Sequence, residues 1–119
     1  MNHDCTLYKT MEYLAKRWTV LILLELRKGE QEWKRFSKLK DSMEDITSKV
    51  LSERLKGLEA EGLIENRVDS SSFPVRSEYR LTNAGKELVD VVVQVKYWAL
   101  KWKISNEACL EQDCIECEF

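Results

Sequence analysis

The first quarter of the chain places apolar side chains at a helical period. They recur every three or four positions, at Leu7, Met11, Leu14, Trp18, Leu21, Ile22 and Leu26. Gly29 ends this run, so residues 6–27 are predicted to form one long helix or two consecutive helices. A second and shorter run predicts a helix over 37–43, with Phe36 and Leu39 turned inward.

The middle of the chain has the start and stop signals of a helix. Thr47 or Ser48 can cap its first turn, and Gly62 ends it. Its apolar positions share one face, at Leu51, Leu55 and Leu58. Gly57 stands inside this predicted helix, where it should cost up to about 1 kcal/mol relative to Ala.

A period of two then replaces the helical period. Residues 63–68 and 75–81 are predicted to be strands joined by a turn at 69–72. Thr82 precedes a long helix with a wide apolar stripe, formed by Leu88, Val91, Val92, Val95, Trp98, Ala99 and Trp102. A hairpin that directly follows a capped amphipathic helix is typical of a winged helix-turn-helix. The predicted fold class is therefore α+β and mainly α, with long helices at both ends.

Charge is divided unevenly between the body and the end of the chain. The 119 residues carry a net charge of −2, but five of the 21 acidic side chains and none of the 19 basic ones lie in 105–119. Residues 1–104 therefore carry a net charge of +3 and are predicted to form a single domain. Residues 105–119 are predicted to be an acidic, cysteine-rich tail.

The composition excludes several classes of protein. The longest apolar run, VLILL at 20–24, is too short to span a bilayer, and no export signal precedes it. We therefore expect a cytoplasmic protein that does not bind membranes. With one histidine, and with neither a phosphate loop nor a Ser–His–Asp set, the chain is not expected to be an enzyme.

The predicted helix-turn-helix identifies candidate contacts to DNA. In this motif the second helix lies in the major groove, and its outward side chains contact base edges. Burial of the leucines turns the opposite face outward, giving Thr47, Ser48, Lys49, Ser52, Glu53 and Lys56 as candidates. Phosphate contacts are expected from the preceding segment, at Lys34, Arg35, Lys38 and Lys40. The hairpin adds Arg67, Arg76 and Arg80 for backbone or minor-groove contact.

Charge alone does not establish DNA binding. An exposed charged helix face is usually just solvated, and residues 33–80 hold ten basic and nine acidic side chains. The order of the elements supports DNA binding more than the charge does. A winged helix used only for protein–protein contact is the alternative.

Three segments resemble a known family. RFSKL at 35–39, DITSKVLSERLKGLEAEGLI at 45–64 and PVRSEYRLTNAG at 74–85 are similar to the motifs of the HxlR-type branch of MarR-like transcription regulators. Cys5, followed later by Arg17 and Trp18, is similar to the opening of that family. The resemblance covers about residues 5–102.

The chain also departs from the family pattern. Lys38 replaces an acidic residue, Asp45 replaces a glycine, and Thr6 stands where the family often has proline. About three extra residues separate Gly29 from Arg35. The first two departures concern operator contacts, and none of the departures concerns the fold.

The resemblance implies a sequence-specific regulator, expected to be a repressor, that binds a double-stranded DNA operator as a homodimer. The dimer would form through the first and last helices, on a roughly palindromic site. The apolar stripe of the last helix independently favours a dimer, because Trp98 and Trp102 are costly to expose. Burial of both tryptophans in the monomer core is the alternative.

The cysteines are candidate control elements. Cys109, Cys114 and Cys117 form one incomplete metal-binding pattern, to which Cys5 or His3 could add a fourth ligand for zinc or iron. The family resemblance instead implies redox sensing at Cys5, with a C-terminal thiol as partner. A tail without a role, and a small thiol-disulfide redox protein using Cys114 and Cys117, are further alternatives. No cofactor or metal is required by the DNA-binding interpretation.

Overall fold

The computed structural model describes residues 1–71, 73–111 and 113 of the chain. Nine elements follow one another in this part of the chain: α1 (Thr6–Leu14), α2 (Thr19–Arg27), β1 (Lys34–Arg35), α3 (Phe36–Ser42), α4 (Ser48–Ala60), β2 (Ile64–Asp69), β3 (Arg76–Leu81), α5 (Asn83–Trp102) and α6 (Glu107–Glu111). The strands form one antiparallel sheet in the order β1-β3-β2. The predicted α+β, mainly α winged helix is confirmed.

The amino-terminal apolar run forms two helices of nine residues each. They are separated at Trp18, whose backbone φ of 81° lies in the left-handed region and cannot continue a right-handed helix. α1 buries none of its residues, and Leu7 and Met11 lie on its surface. The two-helix alternative is therefore correct, and only the carboxyl-terminal helix α5, with 20 residues, is long.

The core lies where α2, α3, α4 and the first half of α5 meet the sheet. Its most buried large side chains are Ile22, Leu23, Leu39, Ile46, Leu51, Leu55, Leu58, Ile64 and Val89. Fully burying one such side chain stabilises the fold by about 1.5–3 kcal/mol. The three leucines of α4 thus fix the face that this helix turns away from the body.

The junction between β3 and α5 explains the LTNAG sequence at 81–85. The Thr82 hydroxyl donates to the Gly62 carbonyl over 2.7 Å and accepts from the Gly85 N–H over 3.2 Å. A Cβ at Gly85 would collide with the backbone carbonyl oxygen of Leu63. Thr82 therefore caps α5, and Gly85 allows the helix to pack directly on the chain entering β2.

Two elements were not predicted from the sequence. β1 has only two residues, so no period could identify it, and it pairs with β3 through Lys34 opposite Tyr79. α6 lies in the segment expected to be a tail and starts where the Asn106 side-chain oxygen accepts from the Cys109 N–H. The predicted turn includes residue 72, which lies outside the described residues. Among the helices of the described ranges, none is long and apolar enough to cross a membrane.

Candidate nucleic-acid interface

α4 presents a polar face because its start and its apolar face are both fixed. The Thr47 hydroxyl accepts from the Val50 N–H over 3.2 Å and satisfies one of the free donors of the first turn. Leu51, Leu55 and Leu58 are each no more than 2% exposed. The opposite face of α4 must therefore point to solvent.

The predicted base-contacting side chains lie together on that outer face. Lys49, Glu53 and Lys56 are exposed and Ser52 is half-buried, while Thr47 and Ser48 are exposed at the start of the helix. Within the described ranges, none of the three charged side chains forms an ion pair. Their charges are therefore available to an external partner.

The segment around α3 contributes fewer cations than its sequence suggests. Arg35 and Lys38 are exposed, and Lys38 Nζ donates to Gln31 Oε1 over 3.1 Å. Arg35 and Arg76 both line a surface groove of about 610 Å³ between the start of α3 and the hairpin. These two guanidinium groups make the groove suitable for a phosphate.

Lys34 was expected to contact phosphate, and that expectation is wrong. Its side chain points inward, is 7% exposed, and donates from Nζ to the carbonyl oxygens of Leu26 at 2.7 Å and Lys28 at 2.5 Å. Burial, assisted by the nearby charge of Lys38, lowers the pKa of Lys34 from 10.5 to about 8. Lys34 therefore satisfies carbonyl groups at the end of α2 instead of facing DNA.

The hairpin formed by β2 and β3, here called the wing, holds the three predicted arginines in different environments. Arg67 Nε lies 3.3 Å from Glu78 Oε1, and Arg80 Nη2 lies 2.8 Å from Glu65 Oε2. Arg76 is exposed and forms no ion pair with any described residue. Its cross-strand neighbour Asp69 accepts from Ser71, and these hydrogen bonds lower the pKa of Asp69.

The carboxyl-terminal helix leaves a large apolar face uncovered in the single chain. Trp98 is 56% and Trp102 is 65% exposed, and Val91 and Val95 are each 59% exposed on the same helix. The alternative that both tryptophans belong to the monomer core is therefore wrong. Such a face is unusual on a monomeric protein and is typical of an interaction surface.

The described cysteines do not form a cluster. Cys5 is exposed, Cys109 is half-buried, and both are free thiols. Within the described residues, no three His, Cys, Asp or Glu side chains lie close enough together to hold a metal ion. Cys114 and Cys117 lie outside those residues, so zinc or iron binding at the C-terminal cysteines stays an untested alternative.

Trp33 was not recognised from the sequence. Its ring lies 4.2 Å from Arg67 Cζ and 4.6 Å from Arg80 Cζ. The only signal was its place in the longer segment between Gly29 and Arg35, which gave no contact partner.

A family model described as HxlR-like helix-turn-helix matches residues 13–107. The chain belongs to this family. The matched segment contains α4 and the wing.

Individual HxlR-type relatives cover most of the chain. The HTH-type transcriptional regulator YvaP of Bacillus subtilis is 40% identical over 94 residues, which are 79% of this chain and 83% of YvaP. The HTH-type regulator sll1512 of Synechocystis is 33% identical over 118 residues, or 99% of this chain and 79% of sll1512. The chain is thus similar in sequence to transcriptional regulators over nearly its full length.

A relative of known structure is the transcriptional regulator YodB of Bacillus subtilis. Its reduced form superimposes with a TM-score of 0.71 at 32% identity, covering 87% of this chain and 98% of YodB. The quinone-bound form superimposes with a TM-score of 0.69 at 31% identity, covering 82% of this chain and 99% of YodB. The diamide-treated form superimposes with a TM-score of 0.61 at 30% identity, covering 82% of this chain and 94% of YodB.

Proposed function

We propose that this HxlR-type regulator works as a homodimer that binds a roughly palindromic operator and represses transcription. The uncovered apolar face of α5 is the observation that supports the dimer. α5 is about 30 Å long at 1.5 Å per residue. Leu7 and Met11 of α1 are exposed as well, at 63% and 41%, and a stable complex buries about 800 Å² on each partner.

The dimer places two copies of α4 on one face of DNA. Half-sites of such dimers lie about 34–36 Å apart, one turn of the double helix. Lys49, Ser52, Glu53 and Lys56 then contact base edges in the major groove. Arg76 at the wing and Arg35 beside α3 contact phosphates in the groove that both residues line.

Substitution on α5 tests the dimer. Trp98→Glu places a charge in the proposed interface and should give a monomer that no longer binds the operator. Val68→Glu is the control for the mass measurement, because Val68 is 59% exposed, close to the 56% of Trp98, but lies on the wing and not on α5. Sedimentation equilibrium measures the mass, and a wild-type protein that stays monomeric at micromolar concentration would refute the proposal.

Substitution on α4 tests the DNA contacts. Lys49→Ala and Lys56→Ala should each weaken operator binding by about 1–3 kcal/mol, with the folded structure kept. Lys103→Ala is the matched control, since Lys103 is exposed beyond the end of α5. The proposal is wrong if wild-type binding is absent or does not weaken with salt, because DNA binding releases counterions.

Oxidation of Cys5 is proposed to control the dimer. Cys5 is an exposed free thiol at the cap of α1. The reduced, quinone-bound and diamide-treated forms of the relative YodB support a thiol-based response. In the simplest reaction two thiols form one disulfide, and diamide accepts the two electrons and two protons and becomes a hydrazine.

Non-reducing electrophoresis after diamide treatment tests this control. Wild-type protein should form a disulfide-linked dimer with altered operator affinity, and Cys5→Ser should not. Cys109→Ser keeps Cys5 and shows whether the half-buried thiol is the partner. Persistence of the cross-linked dimer in Cys5→Ser would rule out Cys5 as the sensor.

A further inference from the structure

Trp33 lies at one corner of the outer face of the sheet. β1 pairs with β3 so that Arg35 is opposite Glu78, and extending this register by one pair brings Trp33 opposite Arg80. On the other side of β3, Glu65 is opposite Arg80. The Trp33 ring therefore stands in one row with the guanidinium of Arg80, on the face turned away from the core.

Two of the three wing arginines meet on this ring. Arg67 Cζ lies 4.2 Å and Arg80 Cζ 4.6 Å from the ring centroid, both within the range of cation–π attraction. Arg67 reaches the ring diagonally, because its own cross-strand partner is Glu78. The half-buried indole thus links β1, β2 and β3 across the outer face.

Carboxylates hold the same arginines in place. Arg80 uses Nε at 2.9 Å and Nη2 at 2.8 Å for Glu65, and Nη1 at 3.4 Å for Glu32. Glu32 also lies 4.0 Å from Lys86 Nζ on α5. Since Glu78 pairs with Arg67, the cluster holds three acidic and three basic groups and has no net charge. A neutral cluster offers little electrostatic attraction to a phosphate.

We propose that Trp33 is a positioning residue for DNA binding: it fixes the wing to the body through Arg67 and Arg80, which do not themselves contact DNA. An isolated two-stranded hairpin is only marginally stable in water. The Trp33 cluster ties the base of this hairpin to α5 and to the segment before β1. Arg76, which has no such partners among the described residues, is left as the wing arginine that contacts phosphate. This inference rests on the proposed DNA-binding function.

Salt dependence separates positioning from contact. The probe is a duplex that wild-type protein selects from a random pool, long enough for two half-sites about 34–36 Å apart. Affinity is measured by fluorescence anisotropy of the full-length protein between about 50 and 200 mM salt. Loss of a phosphate contact lowers the slope of log affinity against log salt by about 1, whereas loss of positioning lowers the affinity at an unchanged slope.

The expected pattern distinguishes five variants. Trp33→Ala, Arg67→Gln and Arg80→Gln should each weaken binding by about three- to tenfold at an unchanged slope, and Trp33→Phe should restore most of the affinity. Arg76→Gln should lower the slope. Wild-type affinity in Trp33→Ala, or slopes lowered by Arg67→Gln and Arg80→Gln as much as by Arg76→Gln, would overturn the inference.

Hydrogen exchange gives a measurement that does not need DNA. In Trp33→Ala, the amides of β2 and β3 should exchange faster while those of α4 stay protected. Unchanged protection of the wing would also overturn the inference. Absence of DNA binding by the wild-type protein would refute the proposed function itself, a result that is distinct from normal binding by Trp33→Ala.

Discussion

The buried ammonium of Lys34 makes stability depend on pH in an unusual direction. In the unfolded chain Lys34 has its ordinary pKa of 10.5, and in the folded chain burial lowers that pKa to about 8. Between these values the folded protein has lost a proton that the unfolded chain still binds. The free energy of unfolding therefore rises as the pH passes from 8 toward 10.5. Below pH 8 the charge is present in both states, and its burial is a constant cost.

The size of the effect follows from the two pKa values. One unit of pKa difference corresponds to about 1.36 kcal/mol, so Lys34 should contribute up to about 3 kcal/mol across the whole window. The variant Lys34→Met removes the titrating group and keeps the length of the side chain. It also removes two hydrogen bonds to carbonyls at the end of α2, a constant loss of about 1–3 kcal/mol.

Denaturant unfolding of wild type and Lys34→Met at several pH values between about 7 and 10 tests this prediction. Other lysines and tyrosines titrate equally in both proteins, so their effects cancel in the difference. Wild type should gain stability relative to Lys34→Met as the pH rises. Lys103→Met, which changes an exposed lysine, should keep a constant difference from wild type. A constant or falling difference for Lys34→Met would show that Lys34 is not buried as described.

Three further predictions concern glycines and cysteines. Gly85→Ala should lower the free energy of unfolding by about 1–3 kcal/mol or more, because its Cβ meets the Leu63 carbonyl, and a thermal melt measures this. Gly57→Ala should instead stabilise the protein by about 0.5–1 kcal/mol, since a Cβ at Gly57 meets no described atom within 4 Å and α4 gains a better helix former. A lower melting temperature for Gly57→Ala would contradict this. Elemental analysis of anaerobically purified protein should find less than one zinc or iron per chain, and a full equivalent would refute a purely thiol-based control.

The sequence predicted those parts of the fold that local signals determine. The Thr47 cap, the leucines of α4 and the start of α5 after Thr82 each depend on a few neighbouring residues, so they could be inferred without a structure. The outward face of α4 followed from the same pattern. Its assignment to base contacts stays a prediction.

The environment of single charged side chains could not be predicted in this way. Lys34, Arg35 and Lys38 are basic residues close together in the sequence. Of these three, only Lys34 turns inward, because β1 brings it beneath the end of α2. Arg67 and Arg80 likewise pair with carboxylates on a neighbouring strand. Such outcomes depend on segments that are distant in the sequence and meet in space. Neither the hydrophobic period nor the spacing of motifs along the sequence predicts them.

The junction at Thr82 joins the wing and α5 into one rigid unit. β3 ends at Leu81 and α5 begins at Asn83, and the single residue between them is bonded to Gly62 and Gly85. Because no flexible linker lies at this point, the wing and α5, which is about 30 Å long, should move as one rigid unit. In the proposed dimer, a tilt of one α5 against the other should therefore rotate the wing together with α5 and change the angle at which the proposed DNA-binding face is presented.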